Sequence, residues 1–395
     1  MGDQDEGEGL PPGRRVAQWR VRRRMTQQML ADRLGKSKSW VDKVERGARA
    51  LDRFSVIQDI ARVLRVEPAA LLGPVAGPPS TAAAVDLEPV RAALARYDVF
   101  RTGREARPAA GPDEWARQAE HAWLTFQHAH YPQLVRLLPG LLDTVRRLPG
   151  DRRPEPLVEA YRLTSAVLVK LGEADLGWLA ADRAVAVAGD DPLLAATAAV
   201  PLAAVLRSVG RPPLARTAAL TAARRIAPTG VPAARPVCGA LLLQAALAVA
   251  AGGDDRSAGE LLDRAAGLAA RIGDVADPYR TGFGPDLVEV TGVVAAVESG
   301  DAGEAVRRHE AVVRRAGWQR LPVERRAAHL VDAARAYLQV GDVPRAGRAL
   351  VEADRIAPAE VRCRPVARTV IEAVARGGPA PAGVAELAAL VGLTR

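Results

Sequence analysis

Hydrophobic and polar positions in this chain follow a helical period in two regions, separated by a stretch with no period. In the first, apolar residues return every three or four positions in short runs, which predicts helices over Arg14 to Arg24, Gln27 to Leu34, Lys38 to Arg46 and Ser55 to Leu64. A short turn from Pro68 to Leu72 follows. Thr26 and Ser37 stand where a side-chain oxygen accepts an N–H bond at a helix start, and Gly35 and Gly47 stand where a left-handed residue ends one. Met29, Ala31, Leu34, Val41 and Val44 supply faces that pack two helices on a third. Val56, Ile57, Ile60, Leu64, Leu71 and Leu72 then close a five-helix bundle.

Residues 74–86 are rich in Pro, Gly and Ala without apolar periodicity and read as a linker with some stiffness. Beyond them, residues 87–395 are helical in pattern almost throughout. Gly172, Gly210, Gly253, Gly300 and Gly341 recur about every 40 residues, the period of a stacked helix pair. Seven residues before each stand Ser165, Ala203, Ala246, Val293 and Ala334, and five after each stand Gly177, Ala215, Ala258, Ala305 and Ala346. Small residues at both places let the two helices of a hairpin approach closely. Asp113 to Gly150 reads as a degenerate first copy, which gives hairpins over residues 113–358, with Val361 to Arg395 as a terminal cap.

Charge changes the picture of the first region. Lys36, Lys38 and Lys43 fall together in a chain whose positive charge is otherwise almost all arginine. Residues 10–73 are strongly basic, whereas residues 1–9 form an acidic tail and the rest of the chain is nearly balanced, within an overall net charge of +9. A basic excess confined to one small helical unit is what phosphate neutralisation requires.

The run Thr26-Gln27-Gln28-Met29-Leu30-Ala31-Asp32-Arg33-Leu34-Gly35-Lys36-Ser37-Lys38-Ser39-Trp40-Val41-Asp42-Lys43-Val44-Glu45-Arg46-Gly47 resembles the Cro and phage-repressor type of helix-turn-helix, the xenobiotic-response-element family. The resemblance covers residues 10–73 and implies a five-helix, lambda-repressor-like DNA-binding head. In such families the second helix of the pair enters the major groove with its N-terminal residues on base edges. Here that implies base contacts from Lys38, Ser39 and Lys43, with Trp40 against a thymine methyl or in packing. It also implies phosphate contacts from Gln27, Lys36, Arg49 and Arg53, and a structural pair between Arg20 and Glu45.

The hairpin from Ala327 to Pro358 resembles the tetratricopeptide repeat through Ala334, Tyr337, Gly341, Ala346, Leu350, Ala353 and Pro358. The implied fold is all-α, the head and linker leading into a right-handed tetratricopeptide-like solenoid. Its first helices line a concave groove suited to a small peptide or small-molecule effector. Trp123, Gln127, Glu159, Arg162, Lys170, Arg207, Gln244, Thr291, Glu298, Asp332 and Arg335 map to or near that side. The connection Asp277 to Pro285 brings Tyr279, Arg280 and Phe283 beside a repeat junction, as a ligand loop or as a purely structural turn. The layout resembles bacterial quorum-sensing regulators, which hold peptide backbone with asparagines; this chain has none, so Gln244 or Arg207 would substitute.

No G-x-S-x-G, Walker loop, H-E-x-x-H or paired-cysteine motif is present, so neither an enzyme nor a cofactor is predicted. His121, His128 and His130 lack an evident third metal-ligand partner, and His309 and His329 read as surface or satisfied core residues. Cys238 and Cys363 are predicted to be buried thiols. No run of 18 apolar residues occurs, and the acidic N-terminus does not read as a signal peptide, which points to a cytoplasmic, nucleoid-associated protein with no membrane partner. The composition suggests a high-GC bacterial genome. The predicted function is sequence-specific transcriptional regulation by a homodimer on a palindromic operator in double-stranded DNA, the repeats sensing an effector and controlling dimer geometry. The alternative is a DNA-tethered adaptor whose repeats bind a protein partner.

Overall fold

The structure, a computed structural model, describes residues 12–46, 54–64, 66, 71, 85–96, 111–227, 230–272, 277–377 and 383–393. Two units separate by internal contacts, Met1–Ser80 and Thr81–Arg395. Among the described residues all regular elements are helical.

In the first unit, α1 (Pro12–Arg22), α2 (Gln27–Leu34), α3 (Lys38–Glu45) and α4 (Phe54–Leu64) pack around Val16, Met25, Leu30, Ala31, Val41, Ile60, Ala61, Leu64 and Leu71. The predicted boundaries hold because the caps hold. Thr26 Oγ1 accepts the Met29 N–H at 3.1 Å, and Ser37 Oγ accepts the Trp40 N–H at 3.1 Å. Between them Gly35 adopts φ 62°, so α2 stops within one residue and α3 starts three residues later. Met29 departs from expectation: it is 42% exposed, because Leu30, Ala31 and the half-buried Leu34 already make the inward stripe of α2. Of the predicted fifth helix only Leu71 lies among the described residues, and Gly47 and Leu72 lie outside them.

The second unit opens with α5 (Glu88–Leu94) and continues as six antiparallel hairpins: α6 (Pro112–Gln127) with α7 (Tyr131–Arg146), α8 (Pro154–Lys170) with α9 (Ala174–Ala188), α10 (Pro192–Ser208) with α11 (Pro212–Ile226), α12 (Ala234–Ala251) with α13 (Asp255–Ala269), α14 (Pro285–Ser299) with α15 (Ala302–Val313), and α16 (Val323–Gln339) with α17 (Val343–Ile356). Three shorter helices follow, α18 (Pro358–Arg362), α19 (Pro365–Arg376) and α20 (Val384–Leu390).

One turn chemistry recurs in all six hairpins. An N–H two or three residues beyond the last helical residue returns to the carbonyl five positions earlier: His130 to Thr125, Glu173 to Leu168, Arg211 to Leu206, Asp254 to Val249, Asp301 to Ala296 and Asp342 to Tyr337. The residue between must be left-handed. Five copies use the predicted glycines, with φ from 73° to 85°, and the first uses Ala129 at φ 57°. The small positions are buried as the pattern requires: Ser165, Ala203, Ala246, Val293 and Ala334 are at most 1% exposed.

First and second helices differ in what they bury. In α13 only Ala258, Leu261, Ala265 and Ala269 are buried, one stripe at helical spacing, whereas α12 buries most of its length. By length and composition α12 could cross a membrane, but it is a core helix packed between α10, α11, α13 and α14.

Succession alone would leave an open, curved stack. Instead α6, α8, α10, α12, α14 and α16 each pack on the next, and α16 packs back on α6. The first helices therefore form a closed ring, and one hydrophobic core joins the first two hairpins to the last one and to α18–α20. A buried ionic network crosses the closure. Glu360 of α18, fully buried, accepts from Tyr131 of α7, from Lys170 of α8 at 2.5 Å and from Arg364 at 2.5 Å, and Lys170 also pairs with Glu324 of α16. Burial by itself would raise the Glu360 pKa; Arg364 and Lys170 outweigh it and hold the carboxyl below its usual range.

Candidate functional sites

In the first unit, α3 is anchored through its last residue, Glu45. Arg20 of α1 grips Glu45 through parallel bonds, Nε to Oε1 at 2.6 Å and Nη2 to Oε2 at 3.0 Å, and donates from Nη1 to the Met25 carbonyl at 2.8 Å. Gln27 adds a bond from Nε2 to Glu45 Oε2 at 2.9 Å. Glu45 is 4% exposed, so three donors satisfy a carboxylate that burial would otherwise destabilise. The register of α3 against α1 and α2 is thereby set. Lys36, Lys38, Ser39 and Lys43 are exposed, and Trp40 is half-buried against the bundle core. Four of the residues expected to touch DNA are thus accessible to solvent. Gln27, expected at a phosphate, has one amide hydrogen committed to Glu45. Arg49 and Arg53 lie outside the described residues.

In the second unit, the residues expected on a concave face divide into three groups. The first gathers around the segment 277–283, which leaves the α13–α14 connection and reaches across the ring. Arg162 of α8 donates from Nη2 to the Tyr279 carbonyl at 2.8 Å. Arg280 pairs through Nη2 with Glu120 of α6 at 2.7 Å and through Nε with Glu159 of α8 at 3.2 Å. Glu159 also accepts the indole N–H of Trp123 at 2.8 Å. Farther along, the Thr281 carbonyl accepts from Arg325 of α16 at 3.4 Å, and Phe283 is buried against Gly239 of α12. The predicted open groove is therefore occupied here by the chain's own backbone. A narrow cleft of about 10 Å³, one water's worth, remains between Glu155, Glu159, Arg162, Thr197 and Tyr279.

A second group projects from four successive ring helices. Arg335 of α16 pairs with Glu298 of α14 at 3.0 Å and with Asp332 at 3.1 Å. Arg207 of α10 lies within the field of both carboxylates; burial pulls its pKa down and they oppose that. Arg207 Nε and Gln244 Oε1, on α10 and α12, are both buried without a hydrogen-bond partner.

The remaining expected ligand residues are built into the fold. Lys170 belongs to the Glu360 network, and Thr291 is 5% exposed with its hydroxyl donating to the Leu287 carbonyl at 2.7 Å. Phe283 is core, and Gln127 is half-buried at the end of α6. The positional map of the repeat placed these residues on the correct helices, but the closure of the ring turned several faces into contacts between hairpins.

Glu120 entered the site without having been singled out, although its position one turn before Trp123 is a usable signal. His309 and His329 form a buried pair, Nδ1 to Nε2 at 2.8 Å, under Trp318 and Tyr337. Burial lowers their pKa values to about 4 and about 3. Cys238 and Cys363 are half-buried free thiols whose pKa values burial raises. Among the described residues no three His, Cys, Asp or Glu side chains converge as metal ligands.

No curated protein matches the chain. Among solved structures the chain is similar to that described as Bacillus thuringiensis PlcR in complex with the peptide PapR7 and DNA, at 12% identity and a TM-score of 0.38, over 77% of this chain and 99% of that one. Residues 13–72 match the family model described as "Helix-turn-helix domain", the same stretch in which caps, turn and anchored second helix were found. The first unit carries a helix-turn-helix domain of the xenobiotic-response-element type.

Proposed function

We propose that the chain is a cytoplasmic, sequence-specific transcriptional regulator that binds double-stranded DNA through α3, with a head at residues 10–73, a linker at 74–86 and a sensing body at 87–395. The observation that carries the reading is the asymmetry of α3. Its C-terminal end is fastened through Glu45 by Arg20 and Gln27, while Lys38, Ser39 and Lys43, between that anchor and the Ser37 cap, are exposed to solvent. Lys38 and Lys43 meet base edges, Lys36 neutralises phosphate, and Gln27, Arg49 and Arg53 add phosphate contacts.

One head reads only a few base pairs, so a homodimer on a palindrome supplies the remaining specificity. The body senses a small peptide or small molecule inside the ring of first helices, among Trp123, Gln127, Arg162, Arg207, Gln244, Tyr279, Arg280, Asp332 and Arg335, and thereby sets the spacing of the heads. The buried, unpartnered Arg207 Nε and Gln244 Oε1 favour this, since a ligand carrying an anionic and a donor group would satisfy both.

A second reading, an adaptor that binds a protein, draws on Trp178 and Val185, which are exposed seven residues apart on α9. Selection of bound sites from a random duplex library, repeated at two salt concentrations, tests the DNA assignment. A recovered palindromic consensus whose affinity falls steeply with salt is expected, and recovery of no consensus ends the reading.

A further inference from the structure

The side-chain groups that bond the Tyr279 carbonyl and the Arg280 guanidinium come from residues more than 100 positions away in the chain, and those contacts have the form of peptide recognition. A buried guanidinium takes a main-chain carbonyl, Arg162 to Tyr279 at 2.8 Å. Two carboxylates take a guanidinium, Glu120 and Glu159 on Arg280. One of those carboxylates is oriented by the Trp123 indole N–H at 2.8 Å. We propose that Glu120, Trp123, Glu159 and Arg162 form a recognition site for a peptide that carries an arginine next to an accessible main-chain carbonyl, and that the chain's own Tyr279 and Arg280 occupy it in the absence of that peptide. This deepens, and rests on, the reading of the body as a sensor.

Three features make the internal occupant displaceable. Arg280 sits at φ 51°, a left-handed conformation that a side-chain-bearing residue adopts at a cost. Its pair with Glu120 is accessible, with Arg280 32% and Glu120 54% exposed, so that pair contributes little against water. The fit is also incomplete: Arg162 Nε and Asp277 Oδ1 are both buried without a partner. A ligand with relaxed backbone and one more donor or acceptor would improve on all three.

Leaving the site does not require opening the ring. Closure rests on the α6–α16 contact and on the Glu360 network, neither of which includes the segment. Phe283, packed on Gly239, tethers the departing end, and Gly282 at φ 64° supplies the hinge between tether and occupant.

The test uses the full chain and an end-capped synthetic peptide with the sequence of residues 277–283, labelled for fluorescence anisotropy. Arg280→Ala empties the carboxylate pair, and Arg280→Gln serves the same purpose if the first variant folds poorly. The emptied chain is expected to bind the peptide at least about tenfold more tightly than the natural chain does. Adding Glu159→Gln, or replacing the peptide's arginine by alanine, is expected to abolish that gain. Equal binding by emptied and natural chains, or binding indifferent to the peptide's arginine, overturns the proposal. Operator affinity measured in parallel separates the two readings: peptide capture with unchanged DNA binding retains the site and removes the sensing role.

Discussion

The ring of Phe283 lies where a side chain on residue 239 would begin: a Cβ built on Gly239 would stand 2.1 Å from Phe283 Cζ and 2.3 Å from Cε1. The segment that crosses the ring is thus fastened by a contact that only glycine permits on α12. Gly239→Ala must displace the ring or bend the helix, and overpacking of this kind costs about 1–3 kcal/mol. Denaturant unfolding of Gly239→Ala, Phe283→Leu and the double variant measures it. The double variant is expected to recover part of the Gly239→Ala loss, because leucine vacates the volume; strict additivity would disconnect the two positions.

Lys38 and Lys43 are exposed on α3 and have no hydrogen-bond or ion-pair partner among the described residues. Replacing either by alanine is expected to cost about 1–3 kcal/mol at the selected operator and to relax discrimination at one base pair. Gln27→Ala is expected to weaken all sequences alike, since it removes the proposed phosphate donor and one support of Glu45. Anisotropy titrations against the operator and a scrambled duplex separate these outcomes, and a Lys43→Ala protein with undiminished discrimination would take that residue off the base edges.

The His309–His329 pair makes the second unit acid-sensitive. Both rings bind protons less readily folded than unfolded, with folded pKa values of about 4 and about 3 against 6.5. The unfolded chain therefore carries more protons as pH falls below 6.5, so stability drops across that window, by up to about 1.4 kcal/mol per pH unit for each ring. Burial sets the sign for both rings, and the charge of a protonated His309 adds to it at His329. Urea unfolding of the second unit's signal between pH 7 and pH 5 should show the decline, and His329→Gln should flatten it. A slope unchanged by that substitution would assign the acid sensitivity to other groups.

Turn positions offer a backbone test. A Cβ at Gly341 meets nothing within 4 Å, so Gly341→Ala pays only for φ 82°, about 1–2 kcal/mol. Ala129→Gly relieves the same strain but removes a buried methyl, worth about 0.8 kcal/mol, and loosens the unfolded chain by about 0.4–1 kcal/mol. The two sides nearly cancel, and thermal unfolding should show little change. A large loss there would mean that the methyl packs better than burial alone implies.

Local chemistry was legible in the residues themselves. Thr26, Gly35 and Ser37 specify their helix ends through bonds within four positions, and the five turn glycines specify hairpins through one backbone conformation, so neither depends on distant chain. Even the Arg20–Glu45 pair was readable, because the head resembles a known family closely at those positions. What sequence could not supply is anything set by the curvature of the stack. Each hairpin's geometry is local, but a small rotation per hairpin, accumulated over six, decides whether the ends remain apart or meet.

They meet, and that turned Lys170 and Glu360 into a buried network and Thr291 into core. It also brought Glu120, Glu159 and Arg162 to a segment more than 100 residues away. Pattern and capping determined the helices, their pairing and the exposed lysines of α3. Only tertiary structure decided that the ring closes and which of its polar residues look inward, because closure depends on the sum of many packing angles, none of which a single repeat encodes.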